Sequence, residues 1–176
     1  KSNQYHEIAM RWNIQKVFGI EATMQQGIKD AQADYTSGRN YSLQYRLIQP
    51  SLIYQPSTHF RLSINSRFAK KQNALKLGGE QARILELGTS FKFNKAENSS
   101  FHVELKCLNI LFNGIQNSAL GFEMLEALKP GINYTWNVSY QRSVSKNLQV
   151  SFQYAGRKSE VSKMIHSGGM EVRAFF

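Results

Sequence analysis

Few side chains of this sequence have the types and the spacing that catalysis or metal binding requires. Its four histidines lie far apart, without the short spacings of metal ligands; they are His6, His59, His102 and His166. Ser159 or Ser167 could act as a nucleophile with His166 as its base, but adjacency in sequence is weak evidence for such a pair. Cys107 is the single cysteine and fits a small lipid-facing or packed residue better than a reactive thiol. We therefore predict no enzyme, with no catalytic residue, cofactor or metal site.

Charged side chains, in contrast, recur at alternate positions of strand-like segments. Alternate residues of a β-strand lie on the same face of a sheet, where they contact opposite charges on neighbouring strands. We predict a network of such charges that consists of Glu7, Arg11, Glu21, Arg46, Arg61, Arg67, Glu86, Lys92, Glu104, Lys106, Glu171 and Arg173. Two interpretations of this network remain open. It either lines a passage and selects solutes, or it fills an interior and makes it rigid.

The elements that must position these charges are β-strands. In the clearest of them, Tyr134, Trp136 and Val138 alternate with polar residues, which places the two sets on opposite faces. The same pattern predicts strands at 7–14, 18–26, 41–54, 60–69, 85–93, 101–107, 132–141, 148–154 and 170–176. The apolar row of each predicted strand contains no charged residue, whereas the opposite rows contain the whole charge network.

One predicted strand, 41–54, changes parity along its length. Its apolar residues occupy odd positions up to Leu47 and even positions from Ile48 onward. An extra residue in one strand of a pair shifts the side chains that follow it in the sequence to the other face of the sheet. We therefore predict a β-bulge at Leu47–Ile48, a kind of site that tolerates the nearby Pro50.

Several features together favour a membrane barrel. Connections between the predicted strands alternate between short and long, as in up-and-down membrane barrels. Aromatic residues lie near strand ends, as at the two interfaces of a bilayer: Phe18, Tyr54, Phe60, Phe93, Phe101 and Phe176 beside short connections, and Tyr41, Phe68, Tyr134 and Tyr154 toward long ones. No apolar run reaches the ~20 residues of a membrane helix.

We predict a single all-β domain over residues 1–176, an antiparallel up-and-down transmembrane β-barrel with about nine strands. The alternative fold is a soluble lipocalin-like barrel that buries its apolar face around a lipophilic ligand. In that case the same alternation of side chains would point inward instead of toward lipid.

The last strand carries a family resemblance. The chain ends on the apolar row of that strand, at Met170, Val172, Ala174 and Phe176. A final strand that closes on Phe resembles the terminal signal by which outer-membrane barrels reach the barrel-assembly machinery. Residues 131–176 resemble the C-terminal end of large barrel proteins of Bacteroidota; they read GINYTWNVSYQRSVSKNLQVSFQYAGRKSEVSKMIHSGGMEVRAFF. The resemblance implies an integral location in the bacterial outer membrane and this assembly route, and it transfers no catalytic residue.

Strand directions lead us to expect a barrel larger than this chain. If Phe176 lies at the periplasmic rim, nine strands place Lys1 on the outer side. Bacterial single-chain barrels have even strand numbers, with both ends normally in the periplasm. We therefore expect these residues to be the closing portion of a barrel. The strand 7–14 would then pair with an N-terminal part of the same protein or with another outer-membrane subunit.

The net charge of +10 suggests anionic partners. The excess positive charge lies mostly in predicted connections; examples are Lys70, Lys71, Lys76, Arg157, Lys158 and Lys163. Two interpretations of these residues are equally open: contact with lipopolysaccharide phosphates, and ordinary solvated charge. No RNA-binding motif occurs, so we predict no nucleic acid partner.

We expect a barrel in contact with outer-membrane lipid that has a structural or transport role, as a component of an envelope complex. A lipid-modifying outer-membrane barrel enzyme and a soluble carrier are the alternative functions. Within the longest connection, the segment 122–128 (FEMLEAL) predicts a short helix. Its role as a lid, a partner contact or simple loop packing stays open.

Overall fold

The computed structural model describes residues 2–31, 40–95 and 98–175, which form one antiparallel β-sheet. Its strands are β1 Ser2–Asn13, β2 Phe18–Ala31, β3 Tyr41–Tyr54, β4 Phe60–Asn73, β5 Gln81–Lys95, β6 Ser99–Phe112, β7 Gly131–Ser145, β8 Leu148–Ser159 and β9 Ile165–Ala174. Each strand pairs with its neighbour in the chain, so the predicted all-β, antiparallel, up-and-down arrangement of about nine strands is confirmed. Within the described residues the sheet is open, with β1 and β9 as its two edges.

Two kinds of connection join the strands. The short ones are tight turns, as between β1 and β2, where the Ile14 N–H donates to the Phe18 carbonyl over 3.0 Å. The long ones are shorter than predicted because the strands continue into them; β4, for example, extends to Asn73. A 3₁₀ helix, Leu75–Leu77, follows β4, and a short helix, α1 (Ala119–Met124), follows β6. No helix in the described ranges is long and apolar enough to cross a bilayer.

The register of the strands assigns every side chain to a face, because directly paired residues lie on the same side of a sheet. One registered row across the first five strands consists of Ile8, Met24, Ile48, Phe68 and Leu85. These side chains are between 46% and 60% exposed. We call this side of the sheet the apolar face. The opposite side, which bears Glu86 and most of the predicted charge network, is called the charged face.

Aromatic rings on the apolar face contact one another at the end of the sheet with the short turns. The chain of rings crosses β2 to β6 with centroids 5.0–6.1 Å apart and consists of Phe18, Tyr54, Phe60, Phe91 and Phe101. Four of these five rings belong to the predicted group, whereas Phe91, which contacts Phe60 and Phe101, was not part of it. At the other end of the strands the prediction for Tyr41 is wrong, because Tyr41 lies buried on the charged face.

The predicted β-bulge in β3 is also wrong. Leu47 pairs with Ala69 and the next residue, Ile48, pairs with Phe68, so the register does not shift at the predicted position. The predicted place of Arg46 in the charge network is therefore wrong as well. Since Arg46 is two residues from Ile48 in an unbroken strand, it lies exposed on the apolar face.

The physical reason for this error is an apolar core on the charged face. Two clusters of buried residues lie on the half of this face that is nearer the long connections. The first contains Ala31, Tyr41, Leu43, Ala82, Leu120 and Met124. The second contains Ala69, Ile84, Leu108, Ile110 and Leu125. Tyr41, Leu43 and Leu47 of β3 thus belong to a core that the connection after β6 covers, and no bulge is needed to place them.

The last strand keeps its predicted parity. Met170, Val172 and Ala174 of β9 pair with apolar-face residues of β8 and are exposed. Phe176, the fourth residue of the predicted assembly signal, lies outside the described residues. The proposed interaction of this strand with the assembly machinery stays a prediction.

The unbroken register of β3 can be tested with a pair of alanine substitutions. Leu43 is 2% exposed on the charged face and Gln44 is exposed on the other, so only Leu43→Ala should leave a cavity. We expect Leu43→Ala to lower the free energy of unfolding by about 2–5 kcal/mol. Gln44→Ala should change it by less than ~0.5 kcal/mol. Denaturant unfolding of both variants provides the measurement, and a small effect at Leu43 would contradict the register.

Candidate functional site

The most elaborate arrangement of side chains lies where residues 113–130, the docked segment, cover the charged face. Ser118 precedes its helix α1 as the N-cap, because Ser118 Oγ accepts a hydrogen bond from the Gly121 N–H over 2.9 Å. Gly121 lies so close to the preceding turn that a Cβ atom would come within 2.3 Å of the Ile115 carbonyl oxygen. Leu120 and Met124 extend from α1 into the core on the sheet. A six-residue helix is too short to be stable alone, so packing on the sheet must hold it.

An ion-pair cluster fixes the docked segment to β4. Arg67 donates two hydrogen bonds to the Glu126 carboxylate, over 2.9 Å and 2.6 Å, in the bidentate geometry that makes such pairs strong. Lys71 Nζ donates to Glu126 Oε1 over 2.8 Å. The side chains of Arg67 and Lys71 are only 18% and 13% exposed. We call Glu126, Arg67 and Lys71 the latch.

Further contacts hold the segment on both sides of the latch. Lys71 Nζ also donates to the Glu123 and Met124 carbonyl oxygens, at the end of α1 where a cation is favourable. Glu123 forms a salt bridge with Lys29 of β2. The buried Asn133 of β7 donates to the Lys129 carbonyl oxygen over 2.7 Å, which fixes the end of the segment. Strands β2, β4 and β7 therefore all contribute side chains that bind the docked segment.

The backbone at the latch adopts a conformation that side chains disfavour. Glu126 and Ala127 have φ angles of 55° and 61°, in the left-handed region. For residues other than glycine this costs about 1–2 kcal/mol per residue. The hydrogen bonds of Glu126, together with one from Arg157 to the Ala127 carbonyl oxygen over 3.3 Å, stabilise this turn. The docked position of the segment therefore depends on the latch.

The latch also changes the titration of its carboxylate. Burial favours the neutral form of the Glu126 carboxyl, but the hydrogen bonds and charges of Arg67 and Lys71 outweigh burial. They lower the pKa of Glu126 from 4.5 to about 2. Glu126 is therefore ionised at neutral pH, and the latch contains a full negative charge between two cations.

Part of the predicted charge network is continuous with the latch. Arg67 Nε donates to Glu86 Oε2 over 2.7 Å, so Arg67 joins the carboxylates of Glu86 and Glu126. Lys106 Nζ lies 3.7 Å from Glu86 Oε1 and 2.8 Å from Glu104 Oε1. Four of the predicted residues, Arg67, Glu86, Glu104 and Lys106, thus form one chain of alternating charges across β4, β5 and β6.

The remaining predicted residues do not join that chain. Arg11 and Arg61 lie 3.4 Å and 3.7 Å from the same oxygen of Glu21, in a separate cluster at the other end of the charged face. Glu171 and Arg173 pair with each other on the edge strand β9. Glu7 and Lys92 lie on the charged face and form no ion pair with another described residue. Arg46 lies on the apolar face.

Sequence reasoning missed the residues that make the latch a site. Glu126 and Glu123 lie in a connection, where period-two alternation gives no information about position. Lys71 was counted as a loop charge, because the predicted β4 ended at 69. The helical pattern of 122–128 was the available signal, and α1 confirms a short helix in this connection, although it ends at Met124. The pattern could not show which strand its acidic residues would contact.

A cavity of about 390 Å³ lies between the docked segment and the sheet. Its lining combines polar and charged side chains, such as Lys29 and Glu126, with the apolar Leu43, Leu47 and Ala69. The segment thus covers the charged face without filling all the space beneath it.

The structure separates the serines from the histidine considered with them. Ser159 and Ser167 lie on the charged face, whereas His166 lies on the apolar face. Ser159 Oγ is buried and donates to Asn133 Oδ1 over 2.6 Å. His166 Nδ1 lies 2.7 Å from the Tyr154 hydroxyl. Neither serine is placed to transfer a proton to His166.

Comparisons of this chain with protein-family models, with curated proteins and with solved structures give no match. The inferences about function therefore come from the geometry of the sheet and of the docked segment.

Removing the charge of Glu126 should release the docked segment. In Glu126→Gln, Arg67 and Lys71 lose their ionised partner, and a hydrogen bond to a charged group contributes roughly 1.5–3 kcal/mol. We expect the backbone amides of 113–130 to exchange with solvent at least about tenfold faster, while those of β5 and β6 stay protected. Glu160→Gln is the matched control, because Glu160 is exposed and forms no ion pair in the described part of the chain. Equal exchange in the two variants would contradict the latch.

Acid should have the same effect on the unmodified protein. A carboxyl whose pKa is lowered by folding stabilises the folded state fully above its ordinary pKa and loses that contribution as pH falls through the lowered value. For Glu126 this window runs from 4.5 down to about 2. The protection factors of the amides of residues 113–130, which are corrected for the intrinsic pH dependence of exchange, should fall across this range, and the fall should be absent in Glu126→Gln.

Proposed function

We propose that this chain forms part of the wall of an outer-membrane β-barrel with a structural or transport role. In this proposal the apolar face contacts lipid and the charged face lines the lumen. The docked segment then folds into the lumen near the side with the long connections and narrows it. A transport role would require the segment to move, whereas a structural role would keep it in place.

The observation that carries the proposal is the contrast between the two faces. Large apolar side chains are exposed along the centre of the sheet, for example Ile64 at 48%, Leu87 at 58% and Leu105 at 49%. A soluble protein rarely exposes a contiguous apolar surface of this extent. The opposite face contains the ion pairs, the core and the docked segment. Lipid against the apolar face and solvent against the charged face account for the contrast between them.

Strand lengths support the same interpretation. On β4 the apolar-face residues from Phe60 to Phe68 span about nine residues, near the 9–11 that a tilted strand needs to cross the hydrocarbon core. The chain of aromatic rings from Phe18 to Phe101 then corresponds to one interfacial girdle. On this basis the short turns lie on the periplasmic side and the docked segment enters from the outer side.

The two edges of the sheet support an assembly with further strands. A strand edge carries N–H and C=O groups that must be paired within lipid. Strands β1 and β9 run in the same direction, so direct closure would create a parallel seam in an antiparallel barrel. We propose that other backbone pairs with these edges, from the same protein or from another outer-membrane subunit, in a barrel of an envelope complex.

A pair of arginine substitutions in the middle of β4 tests which face contacts lipid. Ile64 lies on the apolar face, and Asn65, the next residue, lies on the charged face. Arginine at the midplane of a lipid-facing strand costs ~2–4 kcal/mol, so Ile64→Arg should strongly reduce the amount of membrane-inserted, carbonate-resistant protein. Asn65→Arg should reduce it little. If the apolar face contacts water, Ile64→Arg will be tolerated; if it encloses a soluble ligand site, the protein will be extracted without detergent.

A further inference from the structure

The unbroken register of β3 places three cations side by side on the apolar face. Arg46 pairs with Lys70, and Lys70 pairs with Arg83, so one residue from each of β3, β4 and β5 forms a transverse row. We call Arg46, Lys70 and Arg83 the cationic row. Directly paired residues have Cα atoms only about 4.5–5.5 Å apart, and like charges at this spacing destabilise a sheet. An anion bound at the row would reduce this repulsion.

No acidic side chain in the described residues supplies that anion. All three cations are exposed, and none of them forms an ion pair within the described part of the chain. The acidic residue that these strands and β2 place on the same face, Asp30, lies two registered rows away. The charged face differs in this respect, because Arg67 and Lys106 are paired with carboxylates there.

The position of the row also indicates the kind of anion. The row immediately follows Ile48, Phe68 and Leu85, the last apolar row of these three strands on the side with the long connections. A molecule bound there would meet hydrocarbon-like surface and positive charge two residues apart along each strand, a distance of about 7 Å. Membrane lipids with phosphate in the headgroup have acyl chains and negative charge in the matching order.

The surface beside the row carries hydrogen-bond donors that a phosphate headgroup could accept from. A depression of about 520 Å³ lies next to it on the same face. Amide side chains line it together with two of the cations; these residues are Gln26, Gln44, Gln72, Arg46 and Lys70. Amide N–H groups and cations are donors that bind phosphate oxygens. No residue that lines the depression is acidic.

We propose that the cationic row and this depression bind the phosphate groups of an anionic membrane lipid whose acyl chains lie on the apolar face below. The proposal rests on the proposed function, because it requires the apolar face to contact lipid. It assigns the lipid site to these strands, whereas Lys158 and Lys163 of the β8–β9 region are left as solvated charges. The site is part of the folded wall, so it binds lipid without movement of the docked segment.

The test is binding of diphosphoryl lipid A to the purified chain in a neutral detergent, followed by native mass spectrometry. The variant Arg46→Gln/Lys70→Gln/Arg83→Gln should bind about 100-fold more weakly, since each cation near an anionic surface contributes about fivefold. The control Lys16→Gln/Arg142→Gln/Lys146→Gln removes the same charge at the opposite end of the sheet and should bind as the parent does. Equal losses in both variants, or none in the first, would overturn the assignment.

Two further measurements separate the lipid from other anions and from misfolding. Inorganic phosphate added at the same concentration should not displace lipid A; if it does, the site serves free phosphate instead of lipid. Lys70→Arg keeps the charge and should keep the affinity, and the affinity of the parent should fall as salt screens the row. An affinity independent of salt would overturn the proposal even if the triple variant failed to fold. Membrane insertion is tested separately by Ile64→Arg, so loss of the lipid site and loss of the barrel give different results.

Discussion

The strand register is the constraint on which the other features of this protein depend. Within the described residues each strand pairs with the next without a shift, except between Ser143 and Ser145 at the end of β7. Paired residues share a face, so one displaced residue would move a whole row of side chains. The continuous register through β3 places Leu43 and Leu47 beneath the docked segment and Arg46 on the opposite surface. The core, the latch and the cationic row all follow from it.

On the charged face, the register brings acidic and basic side chains of adjacent strands within bonding distance. Arg67 joins Glu86 to Glu126 because β4 and β5 place the first two in direct register and the docked segment supplies the third. Buried charges are costly unless they are paired, so the pairs are mutually dependent. The segment 113–130 is held by charge and by an apolar core together. This combination suits a segment that either covers the charged face permanently or is released when its charges are disturbed.

On the apolar face, the same geometry separates hydrocarbon-like surface from charge within a single row. Ile48, Phe68 and Leu85 end the apolar surface of their strands, and Arg46, Lys70 and Arg83 begin the polar one. A sharp boundary of this kind fits the interface between acyl chains and headgroups. The cations of the two faces are thus neutralised differently. On the charged face carboxylates of the protein neutralise them, and on the apolar face we propose that lipid phosphates do so.

The sequence by itself determined the strands, their up-and-down order and most side-chain faces, because period-two alternation is a local property of a strand. Ile64, Asn65 and Glu86 could be assigned in this way. Local pattern failed at Tyr41, Leu43 and Arg46, since it assumes that one face is polar along its whole length, and here an apolar segment from a distant connection covers part of that face. Only the tertiary structure could show that Glu126, separated from Arg67 by two strands and a connection, would bind it. Alternation indicates the face of the sheet on which a side chain lies. Contact with a segment that folds back onto the sheet depends instead on the path of the whole chain.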